Sequence, residues 1–346
     1  MSDLIAQAVK TLRSGDLVAM PTETVYGLAA DASNPLAINK IFSTKGRPAG
    51  HPLIVHIANP VLKQSTQENQ FKDWERALSL WARDVPVQAL LLAQAFWPGP
   101  LTMILPKAKS VLTEMTGGQE TVGIRCPNHP IALELLKEFN GGLAAPSANK
   151  FGHVSPTTAE HVKDEFPGIL VLDGGPCQVG IESTIVDLTR LDTVGPAILR
   201  PGAISKEQID AVLGISELTG VLAGTSVAGA PRVSGSLSAH YAPKTKLILC
   251  GGGMDWKNQA INSASHVAWV HFEADEVLPA ELSKTQWVEY IIPNTPAEVA
   301  KTLYATLRAL DKFNYDLIIF PSLPVGSDWD AVRDRLSRAE VGSGLI

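Results

Sequence analysis

The sequence predicts an α/β (or α+β) protein of two domains: a larger unit built around one mixed sheet with helices, then a small open parallel sheet of Rossmann type. Three observations predict it. The chain has 346 residues, 45% hydrophobic and 18% charged, enough apolar material for more than one core and far from disordered composition. Short β-rich runs alternate with stretches whose apolar residues recur at helical spacing. Residues 218–231, uncharged and rich in Gly, Ala, Ser and Val, interrupt that alternation as a flexible connector does.

Taken in order, Leu4, Ile5, Ala8, Val9 and Leu12 recur at helical spacing behind Asp3, a candidate N-cap, and Ser14-Gly15-Asp16 ends the pattern. Strands are expected at 17–20, 53–57, 101–105, 121–126, 143–145, 169–172, 184–188 and 197–199, with helical patterns near 35–43, 75–96, 129–139, 157–164 and 205–213. Residues 85–106 carry no charge over 22 positions, but W-P-G-P at 97–100 divides them into a helix and a strand, so no membrane span is expected. Beyond the connector, strand signals fall at 246–250, 266–271, 288–292 and 315–320. Between the last two, Thr295 as N-cap, Pro296 at the first helical position, Glu298 completing a capping box and the stripe Leu303, Leu307, Leu310 mark a helix. The expected division is 1–217, a linker or flap at 218–245, and 246–346.

A net charge of −6 argues against a protein that blankets a nucleic-acid backbone with cations. Three widely spaced cysteines, Cys126, Cys177 and Cys250, indicate neither a zinc knuckle nor a disulfide framework, and the N-terminus reads as an amphipathic helix rather than an export signal, so a cytoplasmic protein is expected. Charge is unevenly spread: residues 221–246 hold 3 basic and no acidic side chains, whereas 1–220 hold 18 and 22 and 247–346 hold 8 and 13. The connector reads either as a solvated linker or as a flap over an anionic ligand.

Two short motifs carry the chemistry. In Lys45-Gly46-Arg47-Pro48, Pro48 forces Arg47 out of helical geometry, and in an extended segment both cations point the same way, a pairing suited to a di- or triphosphate, or else a plain basic turn. In Ala145-Pro146-Ser147-Ala148-Asn149 the same geometry puts Ser147 and Asn149 on one side as ligand donors and acceptors, or as an Asx-type turn. Arg125 lies in a β-rich run and needs a carboxylate partner from protein or ligand if buried. The patches 21–27, 182–184 and 240–243 are ordinary loop chemistry taken singly. Gly251–Gly253 lacks the full G-x-G-x-x-G and reads as a loop. No Walker, zincin or G-x-S-x-G motif is present, so those hydrolytic mechanisms are unsupported.

Together, PTETVYGLAADA at 21–32, KGRPAGHPLIVHIA at 45–58, FWPGPLT at 96–102, VGIRCPNHP at 122–130, APSAN at 145–149, SPTT at 155–158, ESTIVD at 182–187 and LRPGAI at 199–204 resemble the YrdC-like family. HYAP at 240–243 and the further α/β domain resemble its long form. The resemblance implies a YrdC-like twisted mixed sheet and an enzyme that joins L-threonine, bicarbonate or carbon dioxide, and ATP into L-threonylcarbamoyladenylate and pyrophosphate, for a tRNA modification beside the anticodon. It implies Lys45 and Arg47 as catalytic cations on phosphate and carbamate, and Arg47, His51, Thr121, Ser147, Asn149, Ser155, Arg200 and Tyr241 as ATP ligands. Threonine would meet Thr24, His56, Arg125, the Ala145 backbone and Ser183. Mg²⁺ would ride on the ATP phosphates without protein ligands. The implied partners are ATP, threonine, bicarbonate, the downstream threonylcarbamoyl-transfer machinery and a weak tRNA contact, with no membrane. Arg232 and Ser234 depart from the loop pattern associated with other members, and their roles stay open. Two other readings compete: an RNA-binding or ribosome-maturation module, and carbamoyl transfer in metallocentre maturation.

Overall fold

The computed structural model describes residues 2–61, 66–215, 219–220, 229–250, 263–272 and 286–344. Gly251–Gly253 and most of the connector lie outside them. Two compact units form: Met1–Phe151 with Ser155–Ser236, and Gly152–Val154 with Leu237–Ile346.

The first unit contains β1 (Val18–Met20), β2 (Gly27–Asp31), β3 (Ile54–His56), β4 (Leu101–Pro106), β5 (Thr121–Arg125), β6 (Leu143–Ala144), β7 (Leu170–Val171), β8 (Thr184–Asp187), β9 (Ala197–Arg200) and β10 (Thr219–Gly220). They build one mixed sheet in the order β10-β9-β8-β4-β5-β3-β6-β2-β1-β7. Its central strands are buried on both faces: Met103, Leu105, Ile124, Val55 and Leu28 are covered under helices 35–45, 67–79 and 87–96. Helices 2–13 and 130–139 pack a second apolar cluster around Leu12, Met20, Leu135 and Leu143.

Four local expectations need correction. The pattern near 75–96 is two helices, Gln67–Ser79 and Val87–Phe96, because Pro86 cannot lie inside one and becomes the N-cap of the second. Asp3 stands in the first turn of the helix Ser2–Arg13 rather than before it, where its charge still suits the positive end of the helix dipole. β2 was not foreseen: Gly-Leu-Ala-Ala-Asp has no β-branched residue, and what makes it a strand is pairing on both edges, to β1 and β6. Finally, Lys45 and Arg47 do not share an extended segment. Lys45 is the last residue of the helix Pro35–Lys45, and Gly46 at φ 64° ends it in the left-handed conformation that glycine adopts without penalty.

The second unit carries β11 (Lys246–Cys250), β12 (His266–Phe272), β13 (Gln286–Ile292) and β14 (Leu317–Pro321), all parallel, in the order β11-β14-β12-β13. The helix Pro296–Asp311 begins with the predicted cap, the Thr295 hydroxyl accepting from the Glu298 N–H, but the Glu298 carboxylate accepts from that hydroxyl at 2.6 Å rather than from the Thr295 backbone N–H that a capping box would use. A helix at Asp330–Gly342 follows. Among the described residues no helix is long and apolar enough to cross a membrane.

Candidate functional site

The site of the first unit is built on two loops stitched together. Residues 21–26 leave β1 in a turn organised by the Thr22 hydroxyl, which donates to the Val25 carbonyl at 2.6 Å and accepts from the N–H groups of Thr24 and Val25. That turn is sewn to the 145–149 loop by Leu28 N–H to the Pro146 carbonyl and Ala148 N–H to the Tyr26 carbonyl, each 2.8 Å. Glu23, Thr24, Ala145 and Asn149 are all buried, and Ser147 half-buried.

The K-x-R and S-x-N motifs meet through the backbone. Lys45, 2% exposed, donates from Nζ to the Ser147 carbonyl at 2.5 Å and to the Asn149 carbonyl. Burial, and then the neighbouring Arg47 charge, push the Lys45 ammonium well below its ordinary pKa. Arg47 donates to the Pro52 carbonyl at 3.1 Å and the Ser234 hydroxyl at 3.4 Å, with its guanidinium 5.8 Å over the Phe151 ring. The His51 ring lies 5.3 Å from that of Phe151, its pKa lowered by burial and by Arg47 and Arg232.

From Arg47 a run of hydrogen bonds leads across the sheet. Ser234 accepts at its carbonyl from Arg200 (2.8 Å), and Arg200 also donates to the Ser183 carbonyl (2.9 and 3.0 Å) and to its hydroxyl at 3.1 Å. The Ser183 hydroxyl pairs with that of Thr102 at 2.8 Å. Ser155 donates to the Glu182 carboxylate at 2.6 Å, both buried. Thr121 and Ile54 line a small cleft together with Val233 and Ser234.

A second cationic group lies at the ends of β3 and β5, where His56 and Arg125 are register partners. Arg125 donates to the Gly99 carbonyl at 3.3 Å and the Thr24 hydroxyl at 2.9 Å, and pairs with the Glu23 carboxylate at 2.7 Å. The carboxylate that burial of Arg125 demanded is therefore present in the protein. Burial, then Arg125, depress the His56 pKa to about 3, so the imidazole is neutral at physiological pH. The buried Cys177 thiol is pushed up to about 12 by burial and the Glu23 charge, and Cys126 rises for the same reasons, so both favour the protonated form.

Tyr241 belongs to the second unit. There it adopts φ 58°, stacks on Tyr304 at 5.7 Å and lies 5.2 Å under the Arg335 guanidinium. Four contributors to the first unit's site were not assigned from sequence. Glu23 and Glu182 stood inside motifs already singled out, Phe151 follows the S-x-N loop, and Gln119 gave no signal. The Gln119 side chain accepts from the Arg232 N–H at 2.7 Å and donates to the Arg232 carbonyl at 3.1 Å, while the Arg232 guanidinium holds the carbonyls of Gly50 and Gly117. With Val233 buried against Ile104, Ile185 and Leu199, this clasp fixes the segment that presents Ser234 to the two arginines.

Residues 10–202 match a family model described as telomere recombination, and residues 204–340 match the C-terminal domain of threonylcarbamoyl-AMP synthase. The chain is 38% identical to the threonylcarbamoyl-AMP synthase of Bacillus subtilis, over 98% of this chain and 93% of that protein. The chain belongs to the threonylcarbamoyl-AMP synthase family. The synthase of Pyrococcus abyssi is 36% identical over 95% of this chain and 91% of its own. The crystal structure of P. abyssi Sua5 complexed with L-threonine superposes with a TM-score of 0.80 at 36% identity, covering 98% of this chain and 94% of that one.

Proposed function

We infer that the chain is an L-threonylcarbamoyladenylate synthase, a nucleotidyltransferase that joins L-threonine, bicarbonate or carbon dioxide, and ATP and releases pyrophosphate. The observation that carries this reading is a buried ammonium, Lys45, held by two neutral carbonyls beside the like charge of Arg47. Such an arrangement is poorly solvated and self-repelling until a polyanion arrives. A triphosphate supplies that charge, and Arg200, joined to Arg47 through Ser234, extends the cationic surface.

The chemistry needs orientation and charge neutralisation more than a covalent intermediate. The threonine amine becomes a carbamate, whose oxygen attacks the α-phosphorus while pyrophosphate leaves. Lys45 and Arg47 neutralise charge on the carbamate and the phosphates as it shifts towards the leaving group. His51, Thr121, Ser147, Asn149, Ser155, Arg200 and Tyr241 are proposed to hold the nucleotide. Threonine is proposed to lie against Thr24, His56, Arg125, the Ala145 backbone and Ser183. Arg125 has the capacity: a guanidinium carries five N–H groups, and its three contacts leave room for a carboxylate. His56, being neutral, can serve only as an uncharged hydrogen-bond partner. Mg²⁺ is proposed to enter on the ATP phosphates with its waters, without protein ligands. The labile product would pass to a tRNA threonylcarbamoyl-transfer machinery.

The test is pyrophosphate release by the purified protein with threonine, bicarbonate and Mg²⁺ omitted in turn. Release that needs all three supports the reading; release that ignores threonine contradicts it.

A further inference from the structure

Glu23 is the one component of the Arg125 group that the reading above leaves without a task. It is 6% exposed, and its backbone is fixed from both sides. Its own carbonyl accepts from Val179 N–H at 2.7 Å, and the flanking turn is tied by the Thr22 hydroxyl. One oxygen, Oε1, meets Arg125. Beyond that ion pair, neither Oε1 nor Oε2 has a hydrogen-bond partner among the described residues, and both are buried. A buried carboxylate oxygen without a donor is costly, and in folded proteins such an atom marks the place of a water or a ligand. The titratable groups whose fields couple to Glu23 are Arg125, Cys126, Cys177 and His129, and both thiols are held protonated. Among these groups Arg125 is the cation paired with Glu23, and it has donors to spare.

An amino acid is a zwitterion, and this pair is its complement. We propose that Glu23 receives the α-ammonium of the L-threonine whose carboxylate meets Arg125, and accepts the ammonium proton to free the amine for carbamoylation. The assignment rests on the synthase reading. In the step, one N–H bond breaks, its electron pair stays on nitrogen and its proton passes to Oε2. The nitrogen lone pair then forms the N–C bond to carbon dioxide as a C=O π pair moves onto oxygen, and a second N–H proton leaves to water. The products are the carbamate anion, a protonated Glu23 and a hydrated proton.

The experiment measures binding by titration calorimetry for L-threonine and for 3-hydroxybutyrate, which keeps the carboxylate and hydroxyl but lacks the amine. Wild-type protein is expected to bind 3-hydroxybutyrate about 10–100-fold more weakly. In Glu23→Gln, checked for a native melting transition, that discrimination should shrink to about twofold or less. Turnover of Glu23→Gln at neutral pH should fall about 100-fold and recover towards pH 9 as free amine becomes available in solution. Equal affinities in the wild type, discrimination unchanged in the variant, or a loss that does not recover with pH would each overturn the assignment. The wild-type comparison decides even if the variant does not fold. Failure of the synthase reading would show separately, as wild-type protein that releases no pyrophosphate with any substrate combination.

Discussion

Lys45 and Arg125 are both buried cations of one unit, yet they are held in opposite ways. Lys45 is caught between two backbone carbonyls, and burial with the neighbouring Arg47 charge pushes its pKa well down. Arg125 is paired with the Glu23 carboxylate and sits in a group that is neutral overall. The difference teaches what each place can receive. A cation solvated only by dipoles is poised for a polyanion, whereas a cation–carboxylate pair matches a ligand that itself carries both signs.

Stability separates the two most sharply. Arg125→Ala strips the partner from a buried carboxylate and is expected to cost about 3–5 kcal/mol in chemical denaturation. Lys45→Ala removes a buried amine held by backbone carbonyls, on which Glu165 acts only as a field weaker than that of Arg47, and its denaturation midpoint should stay level or rise. Equal losses in the two variants would erase the comparison. Activity should respond the other way round: Lys45→Ala, although folded, should lose about 10²–10³-fold in pyrophosphate release.

The clasp offers a finer cut. Gln119→Ala and Arg232→Ala should each raise the KM for ATP several-fold, because Ser234 is no longer fixed between Arg47 and Arg200, and leave the KM for threonine unchanged. Since both act through one contact, the double variant should be no worse than the singles. A change in the threonine KM would place the clasp at the wrong pole.

The remaining effect is on pH. His56 folds with a pKa of about 3 against an ordinary 6.5, so between those values the unfolded chain binds a proton that the native one refuses. Its share of stability is intact above pH 6.5 and is lost progressively below it. Replacing His56 with Gln should flatten that acid limb in a pH series of thermal melts.

Much of this was legible in the sequence, for identifiable reasons. Strands such as β4, β5 and β8 are apolar runs of the right length, and helix ends carry their own punctuation, as Pro296 does. Residue pairs close in the chain, Lys45 with Arg47 and Ser147 with Asn149, announced themselves. Their union did not, because it runs through carbonyl oxygens, which any residue possesses. The Glu23–Arg125 and Gln119–Arg232 contacts join positions more than a hundred residues apart, and no local pattern encodes such a pairing. β2 escaped because its strand character comes from its neighbours rather than its own side chains.

The most direct test asks whether the two poles take different ligands. Lys45→Ala and Arg125→Lys, both verified as folded, would be titrated calorimetrically with ATP and with L-threonine. The account predicts a crossed result: the first variant loses ATP and keeps threonine, and the second loses threonine and keeps ATP. If either folded variant lost both ligands, or neither, the division of labour between the two buried cations would be contradicted.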